Sequence, residues 1–165
     1  MPKPLPIPLE FRLPEGWSPA RPKEDDAEGV AFAAVHPQPD AGFTANITID
    51  GDVPPIDATL ADLADDSVEH VREVAEAVTV VQRREVGSED APALTQRLAF
   101  ATVVGGAPRD LVQSQVYLSL ADVDDPHKRA VIRLILTATA AQHDDVLGDF
   151  QEFVHTVRPD TGAGA

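Results

Sequence analysis

The sequence predicts an α+β fold: a twisted antiparallel sheet of about six strands with two main helices packed on it. Three observations carry this. The second half holds four consecutive apolar segments of strand length, joined by polar turns too short for parallel crossovers. Two other stretches place apolar side chains at helical spacing. The chain has 165 residues, enough for one domain with a substantial core.

The elements follow in order. Residues 1–8, Met-Pro-Lys-Pro-Leu-Pro-Ile-Pro, read as an extended proline-rich arm rather than the apolar core of a signal peptide. One domain is expected over residues 9–159, followed by a flexible tail at 160–165. Phe11 to Trp17 is a short apolar segment ending in a Pro-Glu-Gly turn before the only tryptophan, and the charged, proline-rich stretch Ser18 to Gly29 reads as a loop. Val30–His36 and Phe43–Ile49 are strands; in the second, Phe43, Ala45, Ile47 and Ile49 share a face.

Thr59 to about Ala77 is the clearest helix, with Leu60, Leu63, Ala64, Val68, Val71 and Ala75 on one stripe. Asp57 or Thr59 caps its start, and Thr59 and Asp62 have capping-box spacing. The outer face carries Asp62, Asp65, Asp66, Glu69, Glu73 and Glu76 against Arg72 alone. Strands are then expected at Val78–Val86, Ala93–Val104, Leu111–Leu120 and Ala130–Thr139. The faces Leu94/Leu98/Phe100, Val112/Val116/Leu118 and Ile132/Leu134/Leu136 should line the core under a helix. A closing helix from Asp144 to Val157 carries Val146, Leu147, Phe150, Phe153 and Val154, with Asp144 or Asp145 as its cap and Pro159 as its stop.

Composition narrows function. There is no cysteine, so disulfides, thiolate catalysis and Cys-ligated metals are excluded. Twenty-eight acids against 13 Lys and Arg give a net charge of −15, which repels nucleic-acid phosphates and anionic membranes. No run reaches the length of a membrane span, and a cytoplasmic location is expected. His36, His70, His127, His143 and His155 show no metal-ligand spacing. Asp122-Val-Asp-Asp-Pro126 lacks the spaced ligands, central glycine and closing glutamate of a calcium loop. His143-Asp144-Asp145 reads as a helix start, Gly105-Gly-Ala-Pro108 is no phosphate loop, and Ser114 and Ser119 lack a nucleophile elbow. No catalytic residue, cofactor site or metal site is therefore assigned.

The candidate partner surface is polar and sits within strands. Arg97, Gln113, Gln115, Tyr117 and Arg133 fall opposite the Leu/Val/Ile faces, as an adaptable hydrogen-bonding surface or as the solvated side of a half-buried sheet. Trp17 either anchors a partner or closes one end of the core.

Several segments resemble the PsbP-like (Mog-type) fold. They are Phe11-Arg-Leu-Pro-Glu-Gly-Trp17, Phe43-Thr-Ala-Asn-Ile-Thr-Ile49, Leu111-Val-Gln-Ser-Gln-Val-Tyr117, the Val131–Thr139 strand and the closing helix from Asp149 to Val157. The match is nearest to the actinobacterial LpqN/LpqT-like branch and covers roughly residues 9–159. PsbP is a photosystem accessory subunit, the Mog-type protein binds a small GTPase and the Eag proteins are chaperones for secreted effectors. LpqN-type members are often lipoproteins; this sequence holds no cysteine, so an envelope-anchored role is not expected. The resemblance implies a non-catalytic protein-binding adaptor, accessory or chaperone domain. The alternative is a small-ligand or lipid-binding module with a pocket between sheet and helix.

Overall fold

The computed structural model describes residues 9–20, 32–38, 43–55, 57–87, 92–104, 106–121 and 129–159. The proline-rich arm, the Asp122–His127 turn and the tail lie outside the described residues.

The elements are β1 (Leu9–Glu10), β2 (Ser18–Ala20), β3 (Phe32–Val35), β4 (Asn46–Asp52), α1 (Leu60–Val74), β5 (Glu76–Gly87), β6 (Pro92–Val104), β7 (Ala107–Ala121), β8 (Arg129–Thr139), α2 (His143–Thr156) and β9 (Arg158–Pro159). A seven-stranded sheet runs in the order β2-β3-β4-β8-β7-β6-β5, and every neighbouring pair is antiparallel. The strand beyond the expected six is β2, within the stretch expected to be a loop. It follows a tight turn in which Trp17 N–H donates to the Pro14 carbonyl at 3.1 Å and Gly16 takes φ +90°. That is the position where a type II turn requires glycine. The short pair β1–β9 ties the two ends of the described chain together.

The two helices lie on opposite faces of the sheet. Val68 and Val71 of α1 pack with Leu98, Phe100 and Leu111, and Ala64 packs with Leu94, Tyr117 and Val131. Val146, Phe150 and Phe153 of α2 pack with Ile47, Ile49, Val116, Ile132, Leu134, Leu136 and Ala138. The Leu94/Leu98/Phe100 face therefore meets a different helix from the Val116 and Ile132/Leu134/Leu136 faces. Strand β8 lies between both layers and is buried on both sides. A strand covered on both faces needs no polar alternation, which is why Ala130 to Ala138 is apolar except for Arg133 and Thr137.

The capping box of α1 is present: Thr59 Oγ accepts from Asp62 N–H, and an Asp62 carboxylate oxygen accepts from Thr59 N–H, both at 3.0 Å. The helix stops at Val74, short of Ala77. Ala75 is extended and Ala77 takes φ +54° as the chain swings into β5. Two bulges follow, at Glu76–Thr79 and Val80–Gln82. Helix α2 starts one residue before the expected Asp144, and neither Asp144 nor Asp145 is its cap. The cap position is Gln142, without a side-chain bond, and both aspartates sit in the first turn. There their charge favours the positive end of the helix dipole.

Candidate functional site

Helix α2 covers β8 and its neighbours but leaves the β5–β6 half of its face open. Between α2 and β5–β7 runs a groove of about 590 Å³. Its apolar wall is Val116, Leu118, Leu147, Phe150 and Val154. Its polar side holds Gln82, Arg84, Thr95, Arg97 and Ser114 from the strands and Gln151 and His155 from α2. No aspartate or glutamate lines it among the described residues.

Ser114 lies at the edge of this groove with His143 behind it. Ser114 Oγ is 2.8 Å from His143 Nε2, and His143 Nδ1 is 3.3 Å from Asp144 Oδ1. His143 is 2% exposed, while the Asp144 side chain is 90% exposed. Burial lowers the imidazole pKa, the Arg97 charge lowers it further, and Asp144 offsets this in part. The neutral ring that results donates from Nδ1 to Asp144 and accepts the Ser114 hydroxyl proton at Nε2. Serine, histidine and aspartate thus meet as they do in acyl-transfer triads. Ser114, however, sits on a central strand paired on both sides by β6 and β8. The backbone N–H groups there serve the sheet ladder rather than forming an oxyanion hole.

The neutral His143 has a consequence for stability. Its folded-state pKa lies below the ordinary 6.5, so the unfolded chain binds this proton more readily. Its contribution is full above that value and is lost as pH falls. Thermal and urea unfolding should show the wild type losing more stability than His143→Gln between about pH 7.5 and about pH 5, with an excess slope of at most about 1.4 kcal/mol per pH unit. Parallel pH curves for the two proteins would contradict the assignment.

The other face holds a second polar cluster, beneath α1. Gln115 Nε2 donates to Ser67 Oγ at 3.1 Å and to Gln113 Oε1 at 2.9 Å. Gln115 Oε1 accepts from Gln96 Nε2 at 2.7 Å and from the Tyr117 hydroxyl at 2.8 Å. Arg83 bridges Gln96 and Asp65, and Arg133 makes a forked ion pair with Asp50, at 2.7 Å from Nη2. Burial raises the Tyr117 pKa, so the phenol stays protonated.

The six sequence candidates therefore separate. Gln113, Gln115, Tyr117 and Arg133 share the α1 face, where Gln115 is 1% and Tyr117 2% exposed. The helix covers Gln115 and most of Tyr117, while Arg133, its side chain 32% exposed, lines a cavity of about 300 Å³ beside α1 together with Tyr117. Arg97 lies on the opposite face, in the groove. Trp17 is 6% exposed; it packs edge-to-face on His36 and donates from Nε1 to Asp149 at 3.1 Å. It closes one end of the α2 core. The sequence reading left Arg84 and Ser114 out of the surface and took Leu147 and Val154 only as core. Strand alternation places residues on faces but does not supply cross-strand register, and Arg97 stands opposite Ser114, not opposite Gln113 or Gln115.

A sheet with one helix on each face, an N-terminal turn closed by tryptophan and a C-terminal helix over the central strands is the PsbP-like (Mog) fold. The chain superposes on LpqN of Mycobacterium tuberculosis, described as involved in cell envelope biogenesis, with TM-score 0.61 and 11% identity over 92% of this chain and 84% of that one. It matches the Ran-binding protein Mog1p of Saccharomyces cerevisiae with TM-score 0.60 and 14% identity over 94% of this chain and 92% of that one. Cyanobacterial PsbP from Synechocystis gives TM-score 0.57 and 16% identity over 92% and 86%. No family model matches the chain, and no curated protein matches it by sequence. Among the described residues no helix is long and apolar enough to cross a membrane.

Proposed function

We propose that this chain is a non-catalytic accessory or adaptor protein that takes an extended, apolar segment of a partner protein into the groove between α2 and β5–β7. The observation that carries this reading is the half-face of sheet left open beside α2, walled by Leu118, Leu147 and Val154. The long strand β5 borders it at the sheet edge and leaves Val81 and Val86 exposed at 55% and 41%. An extended chain can lie along such an edge and set alternate side chains against the apolar wall. The bulges in β5 lie before Gln82, and the stretch from Gln82 to Gly87 that borders the groove is in regular register with β6, so edge pairing and side-chain packing can both contribute. The Ran-binding name of Mog1p supports a protein as the ligand of this fold. A cytoplasmic site of action is part of the same proposal.

Panning a random peptide library against the purified chain tests it. Apolar, extended peptides should be enriched, and Leu147→Arg should weaken the best of them at least about tenfold. Glu69→Lys, on the outer face of α1, should leave binding unchanged. Absence of enrichment, or peptides indifferent to Leu147→Arg, would overturn the reading.

A second reading has one specific observation behind it. A groove of about 590 Å³ beside Phe150 falls within the size range of small-molecule sites, so a single amphiphilic ligand is the alternative occupant.

A further inference from the structure

In a chain with 28 acids and 13 Lys and Arg, a half-buried guanidinium is expected to have a carboxylate beside it. Of the half-buried arginines, Arg83 is served by Asp65 and Arg133 by Asp50, while Arg97 and Arg109 have no ion pair among the described residues. Among the described residues Arg97, which faces the groove, has neither an ion pair nor a hydrogen-bond partner for its buried Nε. A buried guanidinium nitrogen left unpaired carries a desolvation cost that no contact among the described residues offsets.

The surroundings indicate what would offset it. Arg97 faces the groove and pairs across the sheet with Gln82 on one side and Ser114 on the other. Arg84 stands opposite Thr95 on the same face, so it is the diagonal neighbour of Arg97. Such neighbours are about 7–8 Å apart at Cα, within reach of two long side chains sharing one anion. Ser114 commits its proton to His143, so on the strand side of the groove the charged donors are the two guanidinium groups. The other unpartnered buried atoms, Arg109 Nε and Gln142 Oε1, lie outside the groove.

We infer that the groove contains a carboxylate-binding subsite, with Arg97 at its floor and Arg84 diagonally beside it, for a ligand whose apolar part lies along Leu118, Leu147 and Val154. Guanidinium forks match planar carboxylates in a two-point contact, and among the described residues no carboxylate of the lining competes for them. The inference rests on the groove being a binding surface. The carboxylate is either a partner's acidic side chain or chain terminus, or a free organic acid.

Three small probes read the subsite in the full wild-type chain by NMR amide shifts: 4-phenylbutyrate, 4-phenylbutanamide and inorganic phosphate. The butyrate should shift groove amides around Arg97, Leu118 and Leu147 and bind at least about tenfold more tightly than the amide. Arg97→Gln should reduce the butyrate to the level of the amide, while Arg97→Lys retains part of the difference. Equal affinity for butyrate and amide, tighter binding of phosphate than of butyrate, or shifts outside the groove would overturn the subsite. If selected peptides bind the groove without acidic residues while butyrate and amide bind alike, the subsite fails and protein docking stands. If butyrate binds at Arg97 while no peptide uses the groove, docking fails and the subsite stands as a site for a free acid.

Discussion

Gln115→Leu is expected to cost about 2–4 kcal/mol of folding stability, although the new side chain is apolar and close in volume to the old one. Gln115 is 1% exposed and makes four side-chain hydrogen bonds under α1: to Gln96, Tyr117, Ser67 and Gln113. Leucine fills the space but leaves the Tyr117 hydroxyl and Ser67 without that partner. Gln96 keeps its bond to the Ala64 carbonyl at 3.1 Å, which limits the loss. Each buried polar group left unpaired costs about 1–3 kcal/mol, and relaxation brings the sum below the simple total. Urea unfolding should show a lower midpoint with an unchanged slope. Gln113→Leu, at the partly exposed margin of the network, should cost less than about 1 kcal/mol. A Gln96→Leu, Gln115→Leu double variant should cost less than the sum of its parts, because replacing both partners removes orphans as well as bonds. A Gln115→Leu protein within about 0.5 kcal/mol of wild type would show that the network is dispensable.

This network marks where sequence reading stops. The α1 stripe, its capping box, the β6–β8 strands and the α2 stripe follow from period and turn chemistry, and each is present. The apolar run in β8 also carried a signal of burial on both faces. What alternation alone does not contain is register. Gln113, Gln115 and Tyr117 share a face by parity, but placing Arg97 with or against them requires knowing that Arg97 pairs with Ser114. A one-residue change in pairing would move it to the other face. Ser114 and His143 are likewise 29 positions apart, and only the docking of α2 brings them together. Strand β2 was hidden for another reason. Its three residues, Ser-Pro-Ala, have weak strand propensity, and it forms at the sheet edge, where a proline is tolerated.

The attachment of α2 sets the second large effect. Phe153→Ala should cost about 3–5 kcal/mol, the range for truncating a buried aromatic in a close-packed core. Phe153 is 1% exposed, stacks near Phe150 and meets Phe11 edge-on at 5.5 Å; Phe11 in turn meets Phe32 at 5.0 Å. Phe153 therefore joins the helix to the N-terminal segment, and Phe11 carries the contact on to β3, so removing Phe153 loosens this chain of rings. Phe11→Ala should be strongly non-additive with it, because the two rings share a contact. Phe150→Ala should cost a similar amount, since Phe150 is 2% exposed. The two variants separate stability from binding. Phe150 lines the groove and Phe153 does not. At a temperature where both remain folded, 4-phenylbutyrate should bind Phe153→Ala as it binds wild type and should change affinity for Phe150→Ala. If both variants lose the ligand equally, the groove depends on the whole α2–sheet contact rather than on its own wall. If both keep it unchanged, the ligand lies away from α2.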